Sequence, residues 1–131
     1  TGGLLGGAVT AVAGASDVFT GGIISYSNDV KMKQLGVSRE ILEKYGAVSQ
    51  ECAEAMAEGV KAALNTDCSI SVTGLAGPGG GTAEKPVGPV WIGVCAGGTT
   101  LSKQILAGGE REDRRQRSVR TARLTLLKEL Q

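Results

Sequence analysis

The chain has 131 residues, a formal net charge of +1, 41% apolar residues and only 3% aromatics. That length holds one domain with a core, spanning residues 1–131, and so small a net charge argues against a polyanion such as nucleic acid as partner. No apolar run is long enough to cross a bilayer, so no membrane partner is expected.

Histidine is absent. This excludes Ser-His-Asp and Cys-His catalysis and the usual histidine metal ligands. A nucleophilic hydrolysis would need another base, and lysine with a depressed pKa is the main choice left. Cys52, Cys68 and Cys95 lie far apart with no CxxC pair. That argues against a structural zinc site and a disulfide framework, and fits a reducing cytoplasm. No metal or cofactor is expected. With so few aromatics the core must be Val, Ile, Leu and Ala, which suits tight helix-on-sheet packing.

In chain order, residues 4–12 ("LLGGAVTAV") predict a short helix of small residues. Residues 22–27 ("GIISYS") predict a strand. A short helix follows "GVS", with Ser38 as N-cap, Glu40 in its first turn and Gly46 as its stop. A second helix starts at Ser49, with Cys52, Met56, Val60 and Ala63 on one face and Asn65 near its end. Residues 68–74 ("CSISVTG") predict a buried strand, and 76–88 a long glycine-rich loop. Residues 90–96 and 101–107 predict two strands joined by "GGTT" as a hairpin. Residues 110–130 predict one amphipathic helix with Val119, Ala122, Leu126 and Leu130 on its apolar face. The order implies a layered α/β domain. Such a domain usually begins with a strand, whereas this chain begins with a glycine pair and a helix, as though a first strand were missing.

Four stretches could carry chemistry. "TGG" (Thr1, Gly2, Gly3) leads into a helix and offers free backbone N–H groups. An oxyanion site and a plain glycine turn both fit it. "SVTGLAGPGGGT" misses the dinucleotide fingerprint, because Thr82 stands where the third glycine belongs, and it lacks the GK[ST] of a P-loop. A linker and a ligand-binding strand-end loop both remain open. "YSNDVK" gathers Tyr26, Ser27, Asn28 and Lys31. Tyrosine and lysine can move protons when perturbed, though a polar, solvated strand end has the same composition. Six of the seven arginines lie between Arg111 and Arg123. Arg111, Arg114 and Arg115 fall near a helix start, where the dipole disfavours cations. A bound phosphate would offset this, as would Glu110, Glu112 and Asp113.

"TGGLL", "GGIISYSNDVKMKQLGV", "GAVSQECAEAMAEG", "VTGLAGPGGGTAEKPVGPVWIG" and "GEREDRRQ" together resemble the C-terminal domain of the competence/damage-inducible CinA proteins. Stand-alone relatives in that family include nicotinamide-nucleotide amidase. The resemblance spans nearly the whole chain with matching order and spacing. It implies a three-layer α/β/α fold with a mixed β-sheet. It also implies a first strand upstream, ending in a motif like ESCTGG whose last three positions match Thr1, Gly2 and Gly3. The family's nucleophilic serine would then lie two residues before Thr1, and the chain would be N-terminally incomplete.

The activity that the resemblance implies is hydrolysis of nicotinamide mononucleotide to nicotinate mononucleotide and ammonia, in pyridine nucleotide recycling, by a Ser/Lys mechanism. Lys31 matches the general base and Tyr26 a proton relay or substrate contact. Thr73 matches a position that orients the lysine or the nucleophile. Thr1, Gly2 and Gly3 would supply the oxyanion hole. Asn28, Ala76 and Gly77 would face the nucleotide, and Arg111 or Arg114 its 5′-phosphate. The partner is then a small nucleotide, with a homodimer plausible for the family. Two alternatives stand beside this reading. Thr1, if N-terminal in the mature protein, could attack with its own amine as base. The domain could also be a non-catalytic dimerisation or partner-binding unit of a two-domain CinA protein.

Overall fold

The computed structural model describes residues 1–81, 83 and 87–131. Helix α1 (Leu4–Thr10) is followed by a 3-10 turn (Ala15–Asp17), then α2 (Asn28–Leu35), α3 (Arg39–Lys44) and α4 (Gln50–Leu64). Strands β1 (Ser69–Gly74), β2 (Pro89–Ala96) and β3 (Thr99–Leu106) come next, and α5 (Arg111–Leu130) closes the chain.

The sheet has the order β1-β2-β3, and both pairings are antiparallel. The α/β class therefore stands, but the expected mixed sheet is corrected: among the described residues it is wholly antiparallel. The β2–β3 hairpin turns at Gly97 (φ 58) and Gly98 (φ 78), left-handed positions that suit the twist of the flanking strands.

The two faces of the sheet differ in chemistry, and this sets the layers. Ile70, Val72, Val90, Ile92 and Val94 pack with Leu5, Ala122 and Leu126 on the α1/α5 side. On the other face Ser69, Ser71 and Thr73 donate to the carbonyls of Ala57 (2.6 Å), Ala53 (2.6 Å) and Ala47 (2.7 Å). Small polar residues thus bring α4 and the turn before it down onto the sheet. A Cβ on Gly93 would stand 2.3 Å from the Ala53 carbonyl oxygen, so only glycine admits this approach. The result is the expected α/β/α sandwich. A second core cluster of Leu35, Val37, Cys52 and Met56 joins α2 to α4.

Local signals explain the helix starts. The Ser27, Ser38 and Ser49 side chains accept from Val30, Ile41 and Cys52 backbone N–H groups at 3.2, 3.1 and 3.1 Å. Each such cap contributes about 1 kcal/mol. Helix α5 opens with a capping box between Glu110 and Asp113.

Some expectations are corrected. Residues 22–27 are not a strand, because none of the three described strands pairs with them. Ala63 is exposed, and the buried stripe of α4 runs through Cys52, Ala53, Met56 and Ala57 instead. Leu130 is also exposed, since α5 outruns the sheet that its middle covers. Thr82 of the glycine-rich loop lies outside the described residues. Among those described, no helix is long and apolar enough to cross a membrane.

Candidate active site

Lys31 sits in α2, the helix whose cap and stop surround "NDVKMKQL". The Ser27 cap turns the chain sharply after Tyr26. This folds the Lys31 side chain back onto the segment before the helix, where Nζ donates to the Ser25 carbonyl at 2.9 Å and the Tyr26 carbonyl at 3.4 Å. The residue is buried, with 6% of its surface exposed. Burial lowers the Lys31 pKa from the ordinary 10.5, and the nearby Cys52 partly opposes this. Cys52, fully buried in the first turn of α4, has its own pKa raised by burial and pulled back by Lys31. A neutral amine here is the requirement for a lysine base.

Three arginines of α5 reach the two glycine loops and the Tyr26 side chain. Arg111 Nη1 donates to the Gly77 carbonyl at 2.8 Å, and Nη2 lies 3.4 Å from the Tyr26 hydroxyl. Arg114 Nη1 donates to the Ala76 carbonyl at 2.8 Å. Arg115 grips the Thr1 carbonyl through Nη2 (2.9 Å) and Nε (3.3 Å), while its Nη1 pairs with Glu112 at 2.5 Å. The backbone nitrogen of Thr1 is also within electrostatic reach of Arg115, Lys31 and Arg111. One helix start thus ties together Thr1, the 76–77 loop and the Tyr26 side chain.

This geometry answers why arginines crowd a helix N-terminus. Carbonyl oxygens and the Glu110–Asp113 box supply negative partial charge there. The choice between Arg111 and Arg114 as phosphate contacts becomes unequal. Arg111 is exposed, whereas Arg114 is partly buried.

The remaining expected residues fall as follows. Tyr26 is 76% exposed, with its ring at the surface and its carbonyl on Lys31. Thr73 is buried, but its hydroxyl goes to Ala47, and no hydrogen bond joins it to Lys31 among the described residues. Asn28 is the exposed first residue of α2. Gly2 and Gly3 form the turn before α1, and the Thr1 hydroxyl accepts from Leu5 N–H at 3.3 Å. No cluster able to hold a metal is present among the described residues.

Sequence reasoning missed α2 itself, the role of Cys52 beside the lysine, and the Arg115–Thr1 grip. The first had a readable signal: Ser27 as cap, Asp29 in the first turn and Gly36 as stop. The other two join residues far apart in sequence, which no local pattern announces.

A three-layer α/β domain with a buried lysine, and with two glycine loops gathered at the start of its last helix, defines the class. The comparisons define the family. The model of the CinA C-terminal domain matches residues 1–130, and the chain belongs to that family. A CinA-like protein of Kosmotoga olearia is 50% identical over 118 residues, covering 90% of this chain and 29% of the relative. A CinA-like protein of Dictyoglomus thermophilum is 49% identical over 111 residues, or 85% of this chain and 27% of the relative. The chain thus spans less than a third of the length of these curated relatives. Among solved structures, a competence/damage inducible protein of Agrobacterium tumefaciens superposes with a TM-score of 0.96 at 42% identity, covering 99% of this chain and 80% of that one. A CinA superfamily protein of Escherichia coli gives 0.93 at 34% identity, covering 99% and 75%.

Proposed function

We propose that this chain is an amidohydrolase domain that converts nicotinamide mononucleotide to nicotinate mononucleotide and ammonia. The observation that carries the reading is the buried Lys31, whose pKa burial lowers in a protein without histidine. In this reading a serine upstream of Thr1 attacks the carboxamide carbon. Lys31 takes the serine proton as a neutral amine and passes it to the departing ammonia. Water then attacks the acyl-serine ester; Lys31 takes the water proton and returns it to the departing serine oxygen, which regenerates both groups.

The other residues have supporting roles. Gly2 and Gly3 N–H groups hydrogen-bond to no described acceptor and are the candidates for steadying the oxyanion. In other enzymes one such donor is worth roughly 3 kcal/mol. Tyr26, Asn28 and the Ala76–Gly77 loop face the nucleotide, and Arg111, the exposed arginine of the group, meets its phosphate. Thr73 supports the site indirectly, through Ala47 and the start of α4. The work is proposed to take place in the cytoplasm, in pyridine nucleotide recycling.

A second reading rests on the length of the relatives: this domain makes up 29% of the Kosmotoga olearia protein, so it also fits a dimerisation or partner-binding unit of a longer chain. The deciding experiment incubates the intact protein, including its upstream segment, with nicotinamide mononucleotide and measures nicotinate mononucleotide and ammonia. Equimolar release of both establishes the amidase. No release by folded, full-length protein leaves the binding role.

A further inference from the structure

Arg114 reaches the glycine-rich loop from α5 as Arg111 does, but it is partly buried where Arg111 is exposed. Its Nη1 is spent on the Ala76 carbonyl at 2.8 Å and lies 2.8 Å from where a Cβ on Gly77 would be. Gly77 itself is buried with φ 76, a left-handed conformation that glycine adopts at little cost. The Arg114 Nε is the single buried side-chain nitrogen or oxygen without a hydrogen-bond partner among the described residues. A buried donor with no acceptor works against stability. A side chain kept at that cost, with its far end on a loop carbonyl, has the signature of a group retained for what it positions.

We propose that Arg114 is a positioning residue that sets the Ala76–Gly77 backbone through its Nη1 donor. The segment it holds continues into a backbone clasp, in which Gly88 N–H donates to the Leu75 carbonyl at 3.1 Å and Ala107 N–H to the Gly88 carbonyl at 2.9 Å. Loss of the Arg114 bond therefore loosens the near end of a loop whose far end is pinned to β3's exit. The catalytic consequence rests on the amidase reading; the structural consequence does not.

The test uses full-length protein carrying Arg114→Met, which keeps bulk and removes every donor, and Arg114→Lys, which keeps one. Two quantities are read: hydrogen exchange at the Gly88 amide, and kcat and KM on nicotinamide mononucleotide and its dephosphorylated riboside. Arg114→Met is expected to speed Gly88 exchange about tenfold and to lower kcat about tenfold on both substrates alike. Arg114→Lys should recover most of both losses. Unchanged Gly88 exchange overturns the proposal, as does a KM increase confined to the phosphorylated substrate. If the wild-type protein hydrolyses neither substrate, the amidase reading fails alone and Gly88 exchange still decides. Should Arg114→Met not fold, Arg114→Leu, which also carries no donor, gives the same comparison.

Discussion

Lys31 Nζ donates to the carbonyl of Ser25 at 2.9 Å, so the lysine is held by the segment that carries Tyr26. Two backbone carbonyls fix its position, with no carboxylate on it among the described residues, and a carboxylate would have raised its pKa. Activity should therefore rise with pH through a midpoint below the ordinary lysine value of 10.5. Lys31→Ala should lower kcat by roughly 10²–10⁴ while far-ultraviolet circular dichroism stays that of the wild type. Near-normal turnover in that variant removes Lys31 from the mechanism.

The same burial makes a stability prediction of definite sign. The folded pKa of Lys31 lies below its unfolded value near 10.5. Between the two, the unfolded chain holds more protons, so stability rises with pH across that window and levels off above it. Cys52 acts with the opposite sign above 9.0, because its folded pKa is raised. The comparison is therefore between wild type and Lys31→Met in urea at several pH values. Lys31→Met should gain most at neutral pH, and its advantage should shrink as pH approaches 10.5. An advantage independent of pH would show that Lys31 carries no burial penalty.

Much of this architecture was legible because its causes are local. Ser38 and Ser49 announce their helices three residues ahead, the β2–β3 hairpin follows from Gly97 and Gly98, and β1's alternation of Ser and Thr with Ile and Val sorts its two faces. The extended-looking 22–27 segment misled because β-propensity describes a surface that needs a paired neighbour, and the described sheet offers none. Ala63 and Leu130 misled because periodicity gives a stripe's direction but not where the covering element stops. Lys31 was readable as a chemical type. Its burial depends on α4 packing against α2, a contact between segments that no spacing rule links.

Cysteine reactivity checks the surroundings of Lys31 without a substrate. Cys52 and Cys95 are buried and Cys68 is partly exposed. Burial also raises the Cys52 pKa, which depletes its thiolate. Iodoacetamide at neutral pH should label Cys68 first, with Cys52 labelled only on unfolding. Peptide mapping of partly labelled protein measures the order. Early labelling of Cys52 would mean that the α2–α4 contact opens.

Two glycines should be irreplaceable for different reasons. A Cβ on Gly59 would stand 1.9 Å from the Leu35 carbonyl oxygen, and one on Gly93 2.3 Å from that of Ala53. Both obstacles are backbone, so no rotamer change relieves them and a helix must move. Each alanine variant should cost about 3 kcal/mol, the upper end for an overpacked site, seen as a lower urea midpoint. The functional effects should diverge. Gly59→Ala pushes the end of α2 off α4 and carries Lys31 with it, so turnover should fall even in the fraction that remains folded. Gly93→Ala lifts α4 from the middle of the sheet, and its loss of activity should track its loss of folded protein. Equal specific activity per folded molecule in both variants would show that Lys31 keeps its place independently of how closely α2 and α4 pack.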